Sequence, residues 1–337
     1  MTQEQIIVKP RPHNIVRKAD KLIRARYSLS AIAIKVITSV IAMIDKNDAD
    51  FKLYVIKVQD FKELTDAKGK LGGSAYQQLI DACNELMNKK IEFIDGVDVG
   101  FMLTRWIASA EYFAGAGEIE IEISQKLRPL LLQLKDGNYL NYELKNILAL
   151  KSGYVIRLYE LLKHEYNKVA RYKGHTTATY EINIDEFRNE FKIPDSYQYS
   201  SHIKKLIFDK AVKEFKEHTD IEISYEPSRK RGKKVIAVEF TIRDNKSSNK
   251  YLKNIRSFIN YIRETYEKQV VYEEENLSLY IKNGRLFNKI NFQEYNKNQA
   301  QEIWEKLYNL ALEKKLSILN RQENTTKTIQ KLQIKRF

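Results

Sequence analysis

One arrangement of residues occurs twice in this chain, about 126 positions apart, and this repetition restricts the fold more than any other feature. Tyr54, Ile56 and Val58 recur at every second position, the period of a strand with one buried face. Tyr180, Ile182 and Ile184 repeat that alternation, and Glu186 and Phe187 answer Asp60 and Phe61. Asp60 and Glu63 have capping-box spacing, which predicts a short helix after the first strand. A Gly-rich turn over 69–73 leads into a longer helix from Ser74 to about Asn88; a turn at Pro194 leads into its counterpart from Tyr199 to Glu217. Leu79-Ile80 matches Leu206-Ile207, and Ile91 with Phe93 matches Ile221 with Ile223. Each copy closes with a β-hairpin. The first pairs 101–113 with 119–123 through Gly115-Ala116-Gly117; the second pairs 221–225 with 235–242 through a turn over 227–233.

The order strand, short helix, turn, longer helix, hairpin is that of a winged helix. The expected class is therefore α+β: two tandem winged-helix (helix-turn-helix plus β-hairpin) domains with a mainly helical C-terminal extension. Residues 1–12, with Pro10 and Pro12, read as a flexible arm, 13–136 as the first domain, 137–243 as the second, and 244–337 as an accessory segment. Ser28 can cap a helix on which Ile32, Val36, Ile37, Val40, Ile41 and Ile44 recur at helical spacing. The stretches 125–134, 139–150 and 152–172 read as helices joining the copies. Beyond a polar linker over 245–250, the pattern gives a helix over 251–266, a small hairpin around Asn283-Gly284 and a helix over 299–319.

Several functional classes fall away. A chain of 337 residues suggests about two domains. With Cys83 as its one cysteine it has neither a disulfide framework nor a Cys-based zinc site. The most apolar stretch, 32–44, is interrupted by Lys35, Thr38 and Ser39, too short and too polar to span a bilayer. Residues 1–12 lack the apolar core of a signal peptide, so a cytosolic protein without membrane contact is expected. No G-x-x-x-x-G-K-[ST] phosphate loop occurs. His13, His164, His175, His202 and His218 are scattered, and none forms a ligand pair of the kind a metal nuclease needs. Tyr197 or Tyr199 as the nucleophile of a nicking enzyme lacks that metal pair. The chain reads as a non-enzyme with no catalytic residues, metal or cofactor.

Charge supplies the positive signal. Lys and Arg number 58 against 44 acidic residues, a net +14, which points to a polyanionic partner. An AT-rich genome also produces Lys in excess, so placement decides. The turn of the second hairpin reads Ser228-Arg229-Lys230-Arg231-Gly232-Lys233-Lys234, five bases in seven residues with no acid. Crowded like charges repel; phosphates relieve the repulsion and release counterions. Genome bias explains the lysines there but not Arg229 and Arg231. On the preceding helix, at 100° per residue, His202, Lys205, Asp209, Lys213 and Lys216 fall on one stripe, with Ile203, Leu206, Ile207, Ala211 and Phe215 on the core side. Lys204 falls toward the apolar side, from where its stem can lift its amine outward. Such a stripe fits the major groove, with Tyr197, Tyr199, Ser200 and Ser201 at the leading end able to donate to bases or phosphates. The first copy is a weaker candidate. Ser74, Tyr76, Gln77 and Gln78 open its helix, with Lys68 and Lys70 in the turn before, but Asp81 and Glu85 lie on its stripe and its hairpin turn carries no base.

These residues carry a resemblance. Asn14-Ile15-Val16-Arg17 with Ser28-Leu29-Ser30, the Phe101-Met102-Leu103-Thr104-Arg105-Trp106 strand, and Leu127-Arg128-Pro129-Leu130-Leu131-Leu132 are similar to the Rep initiator family of theta-replicating, iteron-containing plasmids. Leu150-Lys151-Ser152-Gly153-Tyr154-Val155-Ile156-Arg157-Leu158-Tyr159-Glu160-Leu161-Leu162 resembles that family's most recognisable stretch. The segment from Ile203-Lys204 through Ala211-Val212-Lys213-Glu214 to Thr219-Asp220-Ile221 follows its pattern as well, so the likeness runs from about Asn14 to Arg243. It implies specific binding to repeated sites in double-stranded origin DNA and a homodimer that represses its own gene. It further implies monomers that open the origin, and recruitment of host proteins such as DnaA and the DnaB helicase. The family's main recognition helix falls on 199–217, and its dimer contacts lie mostly in the first domain. A winged-helix transcription regulator without a replication role is the alternative reading of the same residues.

Overall fold

The computed structural model describes residues 5–7, 10–45, 47–65, 75–94, 100–113, 115–134, 138–170, 177–245, 259–260, 262–263, 270–274, 277–283, 285–288 and 290–312. It divides into two compact units, Met1–Ser248 and Asn249–Phe337. Among the described residues no helix is long and apolar enough to cross a membrane.

The first unit opens with β1 (Gln5–Ile7), which lies within the expected loose arm yet pairs in parallel with β3 (Leu53–Lys57). Between them come β2 (Ile15–Ala19), the short α1 (Asp20–Ile23) and α2 (Ala31–Ile41). The cap of α2 is Ser30 rather than Ser28: the Ala33 N–H donates to Ser30 Oγ at 3.1 Å. Then follow α3 (Val58–Thr65), α4 (Ala75–Asn88), β4 (Ile91–Ile94), β5 (Phe101–Thr104), β6 (Ile107–Phe113) and β7 (Glu118–Ile123). The sheet order is β1-β3-β7-β6. The single strand expected over 101–113 is thus two strands: β5 pairs with β4, and β6 with β7. The break falls at Arg105-Trp106, where the Trp106 ring turns into the core and meets Tyr27 edge-on at 5.0 Å.

After α5 (Arg128–Leu131), the segment expected to be helical over 139–150 begins as a strand, β8 (Tyr139–Glu143), antiparallel to β2. Leu140 and Tyr142 are its buried residues, two apart, as pairing with β2 demands. α6 (Lys145–Leu148) and the 18-residue α7 (Gly153–Ala170) complete the junction. The second copy is β9 (Thr177–Asn183), α8 (Ile184–Phe191), a π-helical segment (Tyr199–Phe208) running into α9 (Asp209–His218), and the hairpin β10 (Ile221–Arg231) and β11 (Lys234–Asp244). Its sheet order is β10-β11-β9. The repeat holds at equivalent points: Val58 and Ile184 each begin a helix directly after a strand, and Phe61 and Phe187 are both buried.

The two copies meet on α7, which is buried on almost every side through Val155, Ile156, Leu158, Tyr159, Leu161 and Leu162. Its Gly153 abuts the chain just ahead of α2: a Cβ there would lie 1.9 Å from the Leu29 carbonyl oxygen, so the approach admits no side chain without displacing backbone. Arg157, 2% exposed, donates to the carbonyls of Ala25 (2.7 Å), Ile23 (3.4 Å), Tyr27 and, from the other copy, Glu190 (2.8 Å). Its guanidinium lies 3.7 Å from the ring centre of Tyr27 and 4.3 Å from that of Phe191. One turn on, Glu160 accepts from Lys18 Nζ at 2.6 Å and from the Tyr142 hydroxyl. On the far side Tyr159 and Lys163 each reach Asp220 at 2.9 Å.

The second unit is described through β12 (Val270–Glu274), β13 (Leu277–Lys282), β14 (Arg285–Asn288) and α10 (Lys297–Leu312). The sheet order is β12-β13-β14, so a strand joins the expected hairpin, and Asn283 takes the left-handed conformation its turn requires (φ 51°). Trp304 and Leu307 are the buried face of α10. Most of the helix expected over 251–266 and the end of that over 299–319 lie outside the described residues.

Two expectations follow. Arg157→Leu strands four carbonyls in a closed interior and should lower unfolding stability by roughly 3–5 kcal/mol, read from urea denaturation. Acid should also weaken the fold. Burial pushes the Asp20 carboxyl up, but His164, Arg24 and Lys168 together hold it down from 3.8 to about 2. Burial likewise opposes, and His13 and Lys145 outweigh, for Glu143, which falls from 4.5 to about 2. Groups depressed in the folded state stabilise above their unfolded values, and that contribution is lost as pH falls from about 4.5 to about 2. The urea midpoint should drop across that window in the wild type and drop less in Asp20→Asn/Glu143→Gln.

Candidate nucleic-acid interface

The helix of the second copy is set up by the turn before it. α8 ends at Lys192 in the left-handed region (φ 50°), and Arg188 donates to the carbonyls of Pro194 (3.3 Å) and Tyr197, fixing the loop. The helix then opens in π register. The Ile203 N–H donates to the Gln198 carbonyl at 3.2 Å, and the Asp209 N–H to that of Lys204. A turn closed by i→i+5 bonds holds about one residue more than an α turn, so the 100° wheel loses phase here. Ile203, Ile207, Ala211 and Phe215 are buried as the wheel predicts. Leu206, expected in the core, is instead 52% exposed, and Phe208 takes the inner place. Its ring packs against Phe187 (5.3 Å), Tyr225 (5.4 Å) and Phe240 (5.0 Å).

The polar stripe is where the spacing puts it: Lys205, Asp209, Lys213 and Lys216 are exposed and His202 is half-buried. Lys204 is exposed as well. Its Nζ lies 3.0 and 3.2 Å from the two Asp209 oxygens, an i,i+5 contact that the π register makes possible. Asp209 also accepts from the Tyr225 hydroxyl on β10, tying the helix to the hairpin. Burial raises the Asp209 pKa, and the bonds from Tyr225 and Lys204 outweigh it to hold the group below its usual range. At the leading end, Tyr197 and Tyr199 are half-buried. The Tyr197 ring lies 4.8 Å from that of His202, whose Nδ1 accepts from the Gln198 N–H at 3.2 Å. Ser200 and Ser201 occupy the opening turn of the π segment.

The wing differs from its expected shape. The bases do not lie in a long loop. β10 continues to Arg231 and β11 starts at Lys234, leaving the two-residue turn Gly232-Lys233. Gly232 alone of the pair takes positive φ (60°), as the first position of a II′ turn requires. The register shifts beside Pro227 and Arg229 accommodate a residue that cannot donate to the ladder. Arg229, Lys230, Arg231, Lys233 and Lys234 are all exposed. Arg229 binds Glu181 on β9 at 2.6 Å, which anchors the ribbon. Among the described residues no ion pair engages Lys230, Arg231, Lys233 or Lys234.

Among the described residues the first copy gathers no comparable charge. Lys68, Lys70 and Ser74 lie outside the described residues. On α4 the Tyr76 ring stacks 4.2 Å from Tyr112, the Gln77 amide donates to Asp81 at 2.9 Å, and Gln78 is half-buried. One cluster escaped the sequence reading because its members are distant in the chain: Asp20, His164 and Glu165 bring their ligand atoms within 4.8 Å of one another. Arg24 and Lys168 already occupy these carboxylates, at 3.1 Å from Asp20 and 3.0 Å from Glu165 respectively, so the cluster is a salt-bridge network between α1 and α7. Arg24 also reaches the Tyr180 hydroxyl on β9 at 3.1 Å.

Comparison with known proteins agrees with this layout. A replication initiation protein of Escherichia coli is 22% identical over 232 residues, covering 68% of this chain and 69% of the relative. The crystal structure of the Pi initiator protein in complex with iteron DNA superposes with a TM-score of 0.57 at 19% identity, over 70% of this chain and 99% of that one. The model for the initiator replication protein WH1 domain matches residues 15–163, and that for the initiator Rep protein WH2 domain matches 183–242, together more than half of the chain. Built as two winged helices in that order, the chain belongs to the initiator replication protein family.

Proposed function

We propose that this protein starts replication of a plasmid by binding repeated sites in its origin, with the second winged helix as the principal reader. The single observation that carries this is the exposed, unpaired cationic tip of β10–β11 on a hairpin that Tyr225 and Asp209 join to the recognition helix. In this reading Lys230, Arg231, Lys233 and Lys234 hold phosphates, with Arg229 shared between Glu181 and the backbone. Ser201, His202, Lys205 and Lys213 face base edges or the groove walls. Tyr197, Tyr199, Ser200 and Lys204 position that surface. Tyr76, Gln77 and Gln78 of the first domain add auxiliary contacts. The solved Pi initiator holds iteron DNA with the same fold, which supports repeats of that kind as the target. Distortion of the bound duplex, driven by binding energy, would open the origin without nucleotide hydrolysis. Self-association, autorepression and hand-over to host proteins such as DnaA and the DnaB helicase belong to the same proposal.

Replacing Lys230, Arg231, Lys233 and Lys234 by Ala should weaken binding to every duplex tested. It should also shrink the slope of log affinity against log salt by about 0.9 for each phosphate that is no longer neutralised, measured by fluorescence anisotropy. Equal affinity for variant and wild type would remove the phosphate role of the wing. Disrupting the gene in its replicon separates initiator from regulator: loss of replication favours the first, continued replication with altered transcription the second.

A further inference from the structure

We infer that Leu206 is a specificity-determining residue that reads the methyl group of a thymine. This rests on the DNA-binding reading above and adds an apolar contact to it. Leu206 is the one exposed large apolar side chain among the described residues of 138–245. It does not belong to an apolar patch of the size that marks a protein interface. Its neighbours Lys204 and Lys205 are exposed cations, and Asp209 and Lys213 follow on the same outer side of the helix. The partner that suits this surface is anionic around its margins and apolar at one point. The major groove has that composition: phosphates line its edges, and the thymine C5-methyl is the apolar group on its floor.

The helix geometry turns this side chain outward. In α register Leu206 falls among the core residues, and a leucine in the core would be the favourable place for it. The π register gives the inner place to Phe208, whose ring is held by Phe187, Tyr225 and Phe240. Runs of π-helix are rare and concentrate at functional sites. Here the ten-residue run lies on the segment proposed to enter the groove, and its consequence is an apolar group set among lysines.

The test uses a duplex enriched by the wild-type protein from a randomised pool, in which each thymine is replaced singly by deoxyuridine. This removes the methyl and keeps the pairing. One replacement should weaken wild-type binding about four-fold, the worth of one buried methyl. Leu206→Ala and Leu206→Gln should bind the parent duplex more weakly and be indifferent to that replacement, with the salt slope unchanged. Three results overturn the inference: no methyl-sensitive position for the wild type, full sensitivity retained by the variants, or a salt slope that falls with the substitution. Failure of the pool to enrich any sequence would instead overturn the DNA-recognition reading on which the inference stands.

Discussion

A buried guanidinium that donates to main-chain carbonyls joins the two winged helices of the first unit. The two terminal nitrogens of Arg157 donate to four main-chain carbonyls, those of Ile23 at the end of α1, Ala25 and Tyr27 beyond it and Glu190 near the end of α8, and the guanidinium is clamped between the rings of Tyr27 and Phe191. Bonds to backbone fix position more tightly than bonds to mobile side chains, since a carbonyl cannot rotate away. The planar fork of Arg suits this task, which Lys cannot perform with one ammonium. Glu160 does for β2 and β8 what Arg157 does for the domain junction, through Lys18 and Tyr142. α7 is therefore a shared core element whose buried polar groups define how each domain lies against it.

That junction bears on the candidate interface through the second domain's start. Arg157 fixes the end of α8, Arg188 on α8 fixes the loop to Tyr197, and the loop delivers the π segment. The aromatic cluster around Phe208 then sets which residues of that segment face outward. Asp209 closes the series by binding Lys204 on its own helix and Tyr225 on the hairpin. A chain of short-range contacts thus runs from the centre of the protein to its cationic tip. None of its members requires the first domain to contact the same ligand.

Much of this was legible in the sequence because it depends on local period and on charge. Strand alternation around Tyr180, the phenylalanines at 61 and 187, and the basic run at 229–234 all express themselves within a few residues, whereas Tyr54, Val55 and Ile56 are buried in succession and β3 does not alternate. What was illegible depends on distant partners. β8 is a strand because β2 lies beside it, and Gln5–Ile7 is ordered because β3 offers an edge. The division of 101–113 follows from the burial of Trp106 against Tyr27, about eighty positions earlier in the chain. The π register was hidden for a different reason: the wheel assumes 100° per residue, and the letters of Leu79-Ile80 and Leu206-Ile207 align while their burial does not. Leu79 is buried in the first pair and Ile207 in the second. A phase slip of one residue cannot be read from composition when both neighbours are apolar.

The placement of charge resolves what the net +14 could not. Many of the bases serve internal carboxylates: Lys18 with Glu160, Lys163 with Asp220, and Arg24 with Asp20. Lys18 and Glu160 are each 1% exposed, out of reach of the ion atmosphere, and are screened little by added salt. The bases at the tip of β10–β11 are exposed, and the attraction of an exposed cation for an anion weakens as salt is added. The two populations therefore respond to ionic strength in different ways. If the wing holds a polyanion as proposed, salt would weaken that grip while hardly touching the buried Lys18–Glu160 pair beside α7, over a range in which the scaffold keeps its fold. A surplus spread evenly over the surface would not separate these responses, because repulsion across the whole chain would then change along with affinity.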